Sequence, residues 1–241
     1  MKRTLAVALA ALALPAAVSG GTPITVFAAA SLTEVLPKID KSTRYSFAGS
    51  DQLAVQIRQG APADVYAAAS PKYTQLLYRD GLVLKPVVFA TNRLIVLVPR
   101  SNPAGIRSVY DLRREGVKVV IGDRTVPIGA YTRQILDALG ITADVTKNVV
   151  SEETDVKGIA TKVALGEADA GFVYRTDAKP VSSRTRTVAL PAWAEPPIRY
   201  EVAVVKASPH RAAAHTFVKE VVSKRGRLLL AKAGFGLPRK P

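Results

Sequence analysis

The chain of 241 residues contains no cysteine. That absence removes disulfides, thiolate metal sites and cysteine nucleophiles together. Histidine is scarce: His210 and His215, both near the C-terminus, are the two in the sequence. A Ser-His-Asp triad or a multi-histidine zinc site has no material in the rest of the chain. Beyond the first 20 residues no apolar run approaches the roughly 20 residues of a membrane span. Basic residues are scattered and not interleaved with aromatics, so the pattern of a nucleic-acid surface is missing. No Gly/Ser-rich linker, long-period repeat or low-complexity tract occurs.

What is present is 48% hydrophobic and 22% charged residues, the balance of a globular chain. The length allows one large domain or two small ones with an ample core. Residues 1–20 read as a secretory signal peptide: Lys2 and Arg3, an apolar stretch over 5–17, then the small residues Val18-Ser19-Gly20. No cysteine follows to carry a lipid anchor. The mature protein is therefore expected to be exported and soluble, in the periplasm or cell envelope. Formal net charge is +15, and without Lys2 and Arg3 the 34 basic residues fall to 32 against 19 acidic. This excess reads as a solvated surface that weakly concentrates anions.

The stretch 26–32, VFAAASL, sets the theme. An apolar run gives way to Leu32, Val35, Leu36 and Ile39, spaced as one face of a helix. The pattern predicts a strand over 24–28, a tight turn at Ala29-Ala30 and a helix capped by Ser31. Glu34, three residues on, completes a capping box. Pro37 inside this helix predicts that it is truncated or kinked. Strand, small turn, serine and helix return at 45–47, Ala48-Gly49 and Ser50, with Leu53 and Ile57 inward and Gly60 closing. A strand at 64–68 leads to a helix opened by Ser70-Pro71. Further strands are expected at 87–89, 94–98, 117–121, 169–174, 187–190 and 200–205. Further helices are expected after Ser108 and over 130–139, 156–165, 212–222 and 225–231.

This alternation predicts an α/β protein with mostly parallel sheets. About ten strands exceed one small sheet, so two lobes are expected: 21–92 plus 200–241, and 93–199, with crossings near Asn92 and Arg199. In such sheets ligands sit beyond the carboxyl ends of strands. Ser31, Ser50, the turn 126–129 and Tyr174 all fall there. Hydroxyls and N–H groups at helix starts suit a small, fully ionised oxyanion, each bond to the charged acceptor contributing about 1.5–3 kcal/mol. A pocket of donors alone rejects a protonated ligand.

Five blocks carry a resemblance: ITVFAAASLTEV, FAGSDQLAVQIRQGAPADVYAAAS, VFATNRLIVLVPRSNP, VPIGAY and GEADAGFVYRTDA. In this order, from about residue 24 to about residue 235, the chain resembles the periplasmic molybdate-binding proteins of ABC transporters. The resemblance implies a two-lobed type II periplasmic binding fold that closes on molybdate or tungstate and delivers it to an ABC permease. It implies oxyanion contacts from the Ser31, Ser50 and Tyr174 hydroxyls and from the Ile128 and Val156 backbone N–H groups. Val156 enters through the resemblance alone. The contacts reach the metal only through the anion's oxygens; no cofactor and no nucleic acid are expected, and a monomer is. Asp51 stands where the family favours a small or hydroxyl residue, and would repel a dianion if it faced inward.

Other classes fit less well. The alternative within binding proteins is another oxyanion, sulfate or phosphate. A ferric-ion binder wants several tyrosines with a carboxylate or histidine, and only Tyr174 is so placed. An exported hydrolase needs a nucleophile with a positioned base, and no histidine lies in the blocks around Ser31. Asp64 and Asn92 read as turn and hinge residues.

Overall fold

A computed structural model describes residues 23–238; the signal peptide expected at 1–20 lies outside them. Alternating burial explains the first strands. In β1 (Thr25–Ala29), Val26 and Ala28 point to one face and Phe27 to the other, and all three are buried. A single 3-10 turn, Ala30–Leu32, follows, and then the short helix α1 (Leu36–Ile39). Next come β2 (Arg44–Ala48), α2 (Ser50–Arg58), β3 (Val65–Ala68), α3 (Pro71–Arg79) and β4 (Val87–Asn92). The chain then enters β5 (Leu94–Pro99), a 3-10 turn at Val109–Arg113, β6 (Val119–Gly122), α4 (Pro127–Ala138), α5 (Thr142–Lys147), β7 (Val149–Glu153) and α6 (Val156–Leu165). It continues through β8 (Ala170–Tyr174), α7 (Arg175–Ala178), β9 (Thr185–Val188), β10 (Ile198–Val204), α8 (Arg211–Val222) and α9 (Lys224–Ala233).

These strands form two five-stranded sheets, ordered β2-β1-β3-β10-β4 and β7-β6-β8-β5-β9. In the first, β1 runs parallel to β2 and β3, while β10 is antiparallel to β3 and β4. In the second, β6 runs parallel to β7 and β8, while β5 is antiparallel to β8 and β9. The sheets are thus mixed rather than mostly parallel, within the α/β class expected. The antiparallel members flank the points where the chain changes sheet: out between Asn92 and Leu94, back between Val188 and Ile198. Helices α2 and α3 cover the Phe27 and Tyr66 face of the first sheet, and α4 and α6 pack on the second. Fully burying a Leu or Phe side chain contributes about 1.5–3 kcal/mol, so Leu53, Leu77 and Phe172, each 0% exposed, anchor these layers.

Three local expectations are corrected. Ser31 is not a helix cap: it lies inside the 3-10 turn, whose cap position is Ala29 with no side-chain bond, and no box with Glu34 forms. Pro37 explains why. A helix running from Ser31 would place Pro37 in its interior, without an N–H and against the preceding turn; the helix starts instead at Leu36, where Pro37 falls in the first turn. Secondly, α4 starts at Pro127 rather than 130, because Pro127 takes the favoured first helical position. Thirdly, α5, β7 and α7 were not foreseen. The β7 strand is only half buried, and α5 and α7 have 6 and 4 residues, too little for periodicity to show.

Candidate functional site

The parallel strands of both sheets end at one cleft. It is lined by Ala29, Ala30, Ser31, Ala48, Gly49, Ser50, Ala69, Val126, Pro127, Ile128, Asp155, Val156 and Tyr174, and its volume is about 20 Å³. This is below the ~300–1,000 Å³ of pockets for drug-sized organic ligands. The structure therefore brings Ser31, Ser50, Ile128, Val156 and Tyr174 together around one small space. Ser31 and Ser50 come from the first-sheet side; Ile128, Val156 and Tyr174 come from the second.

Each element presents its donor for a local reason. Ser50 is the first residue of α2, Ile128 the second of α4 and Val156 the first of α6. First-turn N–H groups have no carbonyl one turn earlier to bind, and the helix dipole makes that end partly positive. Three such ends meet at the cleft. Small side chains at Ala29, Ala30, Gly49 and Ala69 keep the backbone near the space they enclose. Gly49 also sets how close the two halves come. A Cβ there would lie 2.6 Å from the Thr154 carbonyl oxygen and 3.2 Å from a Val126 methyl.

The hydroxyls are arranged as donors. Ser50 Oγ accepts from the Ala69 N–H at 3.1 Å, which leaves its own proton for the cleft. Ser31 Oγ lies 2.9 Å from the Tyr200 hydroxyl. Tyr174 is 2% exposed, and its hydroxyl has no partner among the described residues. Burial pushes the Tyr174 phenol well above its ordinary 10, with neighbouring Tyr200 adding to the rise. It stays a protonated donor at any working pH. An unpaired buried hydroxyl costs about 1–3 kcal/mol, a cost that an acceptor in the cleft removes.

Cationic side chains are kept away from the cleft. No lysine or arginine lines it. Its one carboxylate, Asp155, is engaged as the cap of α6, accepting from the Lys157 and Gly158 N–H groups at 2.7 and 3.2 Å. Asp51 is not among the lining residues; its Oδ2 lies 3.1 Å from Thr125 Oγ1, sharing that hydroxyl's one proton with the nearer Asp123 Oδ1 at 2.6 Å. Tyr73 also reaches Thr125, donating to its carbonyl. Lys157, next to Val156, brings its Nζ 3.2 Å from Asp177 and 3.9 Å from Glu34. Asp64 is a structural acceptor, taking the Thr25 N–H and the Ser208 hydroxyl. Asn92 sits buried where the chain leaves the first sheet. Sequence reading missed Tyr200 and Asp155. The Asp155-Val-Lys-Gly order carried a cap signal for Asp155, whereas Tyr200 lies 169 residues from Ser31 and left none.

Residues 24–236 match the family model described as bacterial extracellular solute-binding protein. The chain belongs to that family. A solute-binding protein of this family carries its ligand without transforming it. The molybdate-binding protein ModA of Mycobacterium tuberculosis is 39% identical over 229 residues, covering 91% of this chain and 86% of that protein. The Haemophilus influenzae protein of the same name is 33% identical over 231 residues, covering 88% and 89%. Among solved structures, the periplasmic molybdate-binding protein of Azotobacter vinelandii matches with a TM-score of 0.80 at 22% identity, covering 90% of this chain and 100% of that one. The sulfate-binding protein SubI of Mycobacterium tuberculosis matches at 0.76 and 19%, covering 91% and 88%. At those identities the two structures establish a shared solute-binding-protein fold. Among the described residues, no helix is long and apolar enough to cross a membrane.

Proposed function

We propose that this solute-binding protein captures molybdate or tungstate in the cleft and hands it to an ABC permease. One observation carries the reading: a buried tyrosine hydroxyl without a partner faces the same small space as two serines and two helix-start amides. Every one of these groups donates. A tetrahedral dianion offers acceptors in all directions and no proton, which is the complement of such a set. The relatives named for molybdate add independent support.

The mechanism is closure. One lobe, 21–92 with 200–241, supplies Ser31 and Ser50; the other, 93–199, supplies Ile128, Val156 and Tyr174. An anion gripped by both makes the closed arrangement more stable than the open one, by the contacts that only the closed form allows. The protein works as an exported monomer without a cofactor. Calorimetric titration with molybdate, tungstate, sulfate and phosphate tests the proposal. Heat and a thermal shift with the first two are expected. Binding of sulfate or phosphate alone reassigns the ligand, and no response to any of the four overturns the reading.

A further inference from the structure

Behind the cleft runs a chain of buried hydrogen bonds that no donor to the anion belongs to except its first member. Ser31 Oγ meets the Tyr200 hydroxyl at 2.9 Å. Tyr200 in turn lies 3.3 Å from Asn92 Nδ2, which is also 3.0 Å from Thr176 Oγ1. The Asn92 carbonyl oxygen accepts the Arg93 N–H at 2.9 Å. Tyr200 is 0% exposed and Asn92 7%. The rings of Phe89, Tyr174 and Phe235 pack edge-on against Tyr200 and hold it in place.

The direction of every proton in this chain follows from its far end. The Arg93 N–H can only donate, so the Asn92 atom it meets is the oxygen, and the atom facing Tyr200 is the NH₂. An NH₂ can only donate, so the Tyr200 oxygen accepts from it. Among the described residues Ser31 Oγ is the one acceptor within reach of the Tyr200 proton, so Tyr200 gives and Ser31 receives in this contact. Its own proton has one direction left, the cleft.

We infer that Tyr200, aligned by Asn92, is a positioning residue that fixes Ser31 as a donor and so sets the charge-state selectivity of the site. Freed from Tyr200, Ser31 Oγ can turn a lone pair to the cleft and accept a proton from a ligand. Hydrogen phosphate, which keeps a proton near neutral pH, gains what molybdate loses. The inference rests on the oxyanion reading, and the experiment separates the two.

The test is a double-mutant cycle on the full chain with Tyr200→Phe, Ser31→Ala and the double variant, each titrated with molybdate and with phosphate at pH 7.5. The phenylalanine keeps the ring packing, and a melting curve of each variant checks that it folds. Tyr200→Phe is expected to weaken molybdate binding about 2- to 12-fold, the range of one ordinary hydrogen bond. It is also expected to narrow the ratio of molybdate to phosphate affinity. In the Ser31→Ala background the same change has no proton to direct, so its effect falls to about 2-fold or less. Equal losses in both backgrounds, or an unchanged molybdate-to-phosphate ratio, overturn the inference, since a purely structural role moves both backgrounds alike. A wild-type chain that binds none of molybdate, tungstate, sulfate and phosphate overturns the oxyanion reading and this inference with it, whereas wild-type binding with an additive cycle overturns the inference alone.

Discussion

Ser50 and Tyr174 face the same cleft, yet removing their hydroxyls has opposite consequences for the unliganded protein. Ser50 Oγ already accepts the buried Ala69 N–H, so Ser50→Ala leaves that amide unpaired. The variant is expected to lose about 1–3 kcal/mol of stability, read as a lower melting temperature, along with affinity for molybdate. Tyr174 has no partner to abandon. Tyr174→Phe is expected to weaken molybdate binding about 10- to 150-fold, the range of one bond to a charged acceptor, while the melting temperature of the free protein holds or rises. Calorimetry and melting curves on the two variants check this. Matching stability losses in both refute the assignment of Tyr174 as an unsatisfied donor. At this scale the sequence was informative where a residue type and its place in an element sufficed. Serines and a tyrosine at strand ends mark donors, whereas the helix at Pro127 starts three residues before the expected 130. It was silent on Tyr200, because only the fold brings that strand beneath Ser31.

The short helix α7 carries the clearest pH signature of any element. Its Asp177 is 1% exposed. Burial raises its carboxyl to about 6 from the ordinary 3.8, against the opposing pull of Lys157. A carboxyl that holds its proton more tightly when folded stabilises the fold below its unfolded value, and that contribution is lost as pH rises through about 6. The rise corresponds to on the order of 3 kcal/mol. Asp177→Asn keeps an acceptor for Lys157 and never ionises. Its melting temperature relative to wild type is therefore expected to climb between pH 4 and pH 7; a constant difference across that window refutes the account. Elements of this length are also where sequence reading stopped. The α6 helix was legible to the residue, because Val156, Ile159, Ala160 and Val163 keep helical spacing and Gly166 ends it in the left-handed region. The α7 helix has four residues and β7 a half-exposed edge, so neither carries a pattern to read. The helix expected after Ser31 failed for a different reason, since Pro37 stops the spacing around it from becoming one helix.

Across the whole molecule, contacts between residues of the two sheets hold the halves over the cleft. Asp51 and Tyr73 reach Thr125, and Glu34 meets Lys157. Only the second is an ion pair, and its Glu34 side chain is 52% exposed. Glu34→Gln cuts this pair and leaves Lys157 with Asp177. It is expected to speed molybdate release roughly 1.5- to 5-fold, the reach of an exposed pair, with the melting temperature of the free protein unchanged; stopped-flow displacement checks it. A release rate equal to wild type removes Glu34 from the closure. The alternation of strands and helices made the α/β class visible from the sequence. The antiparallel placement of β5 and β10 was not visible, because hydrophobicity alone does not record strand direction.

A cleft with no lysine or arginine, inside a chain of formal charge +15, separates two things that a cationic pocket would join. Diffusing dianions are steered by the surface field, and that attraction fades as ionic strength rises. Retention depends on fixed dipoles at short range, shielded from counterions. Added potassium chloride should therefore slow capture far more than it shortens the residence time of the anion, since the exposed Glu34–Lys157 pair is the one contact holding the closure that salt can screen.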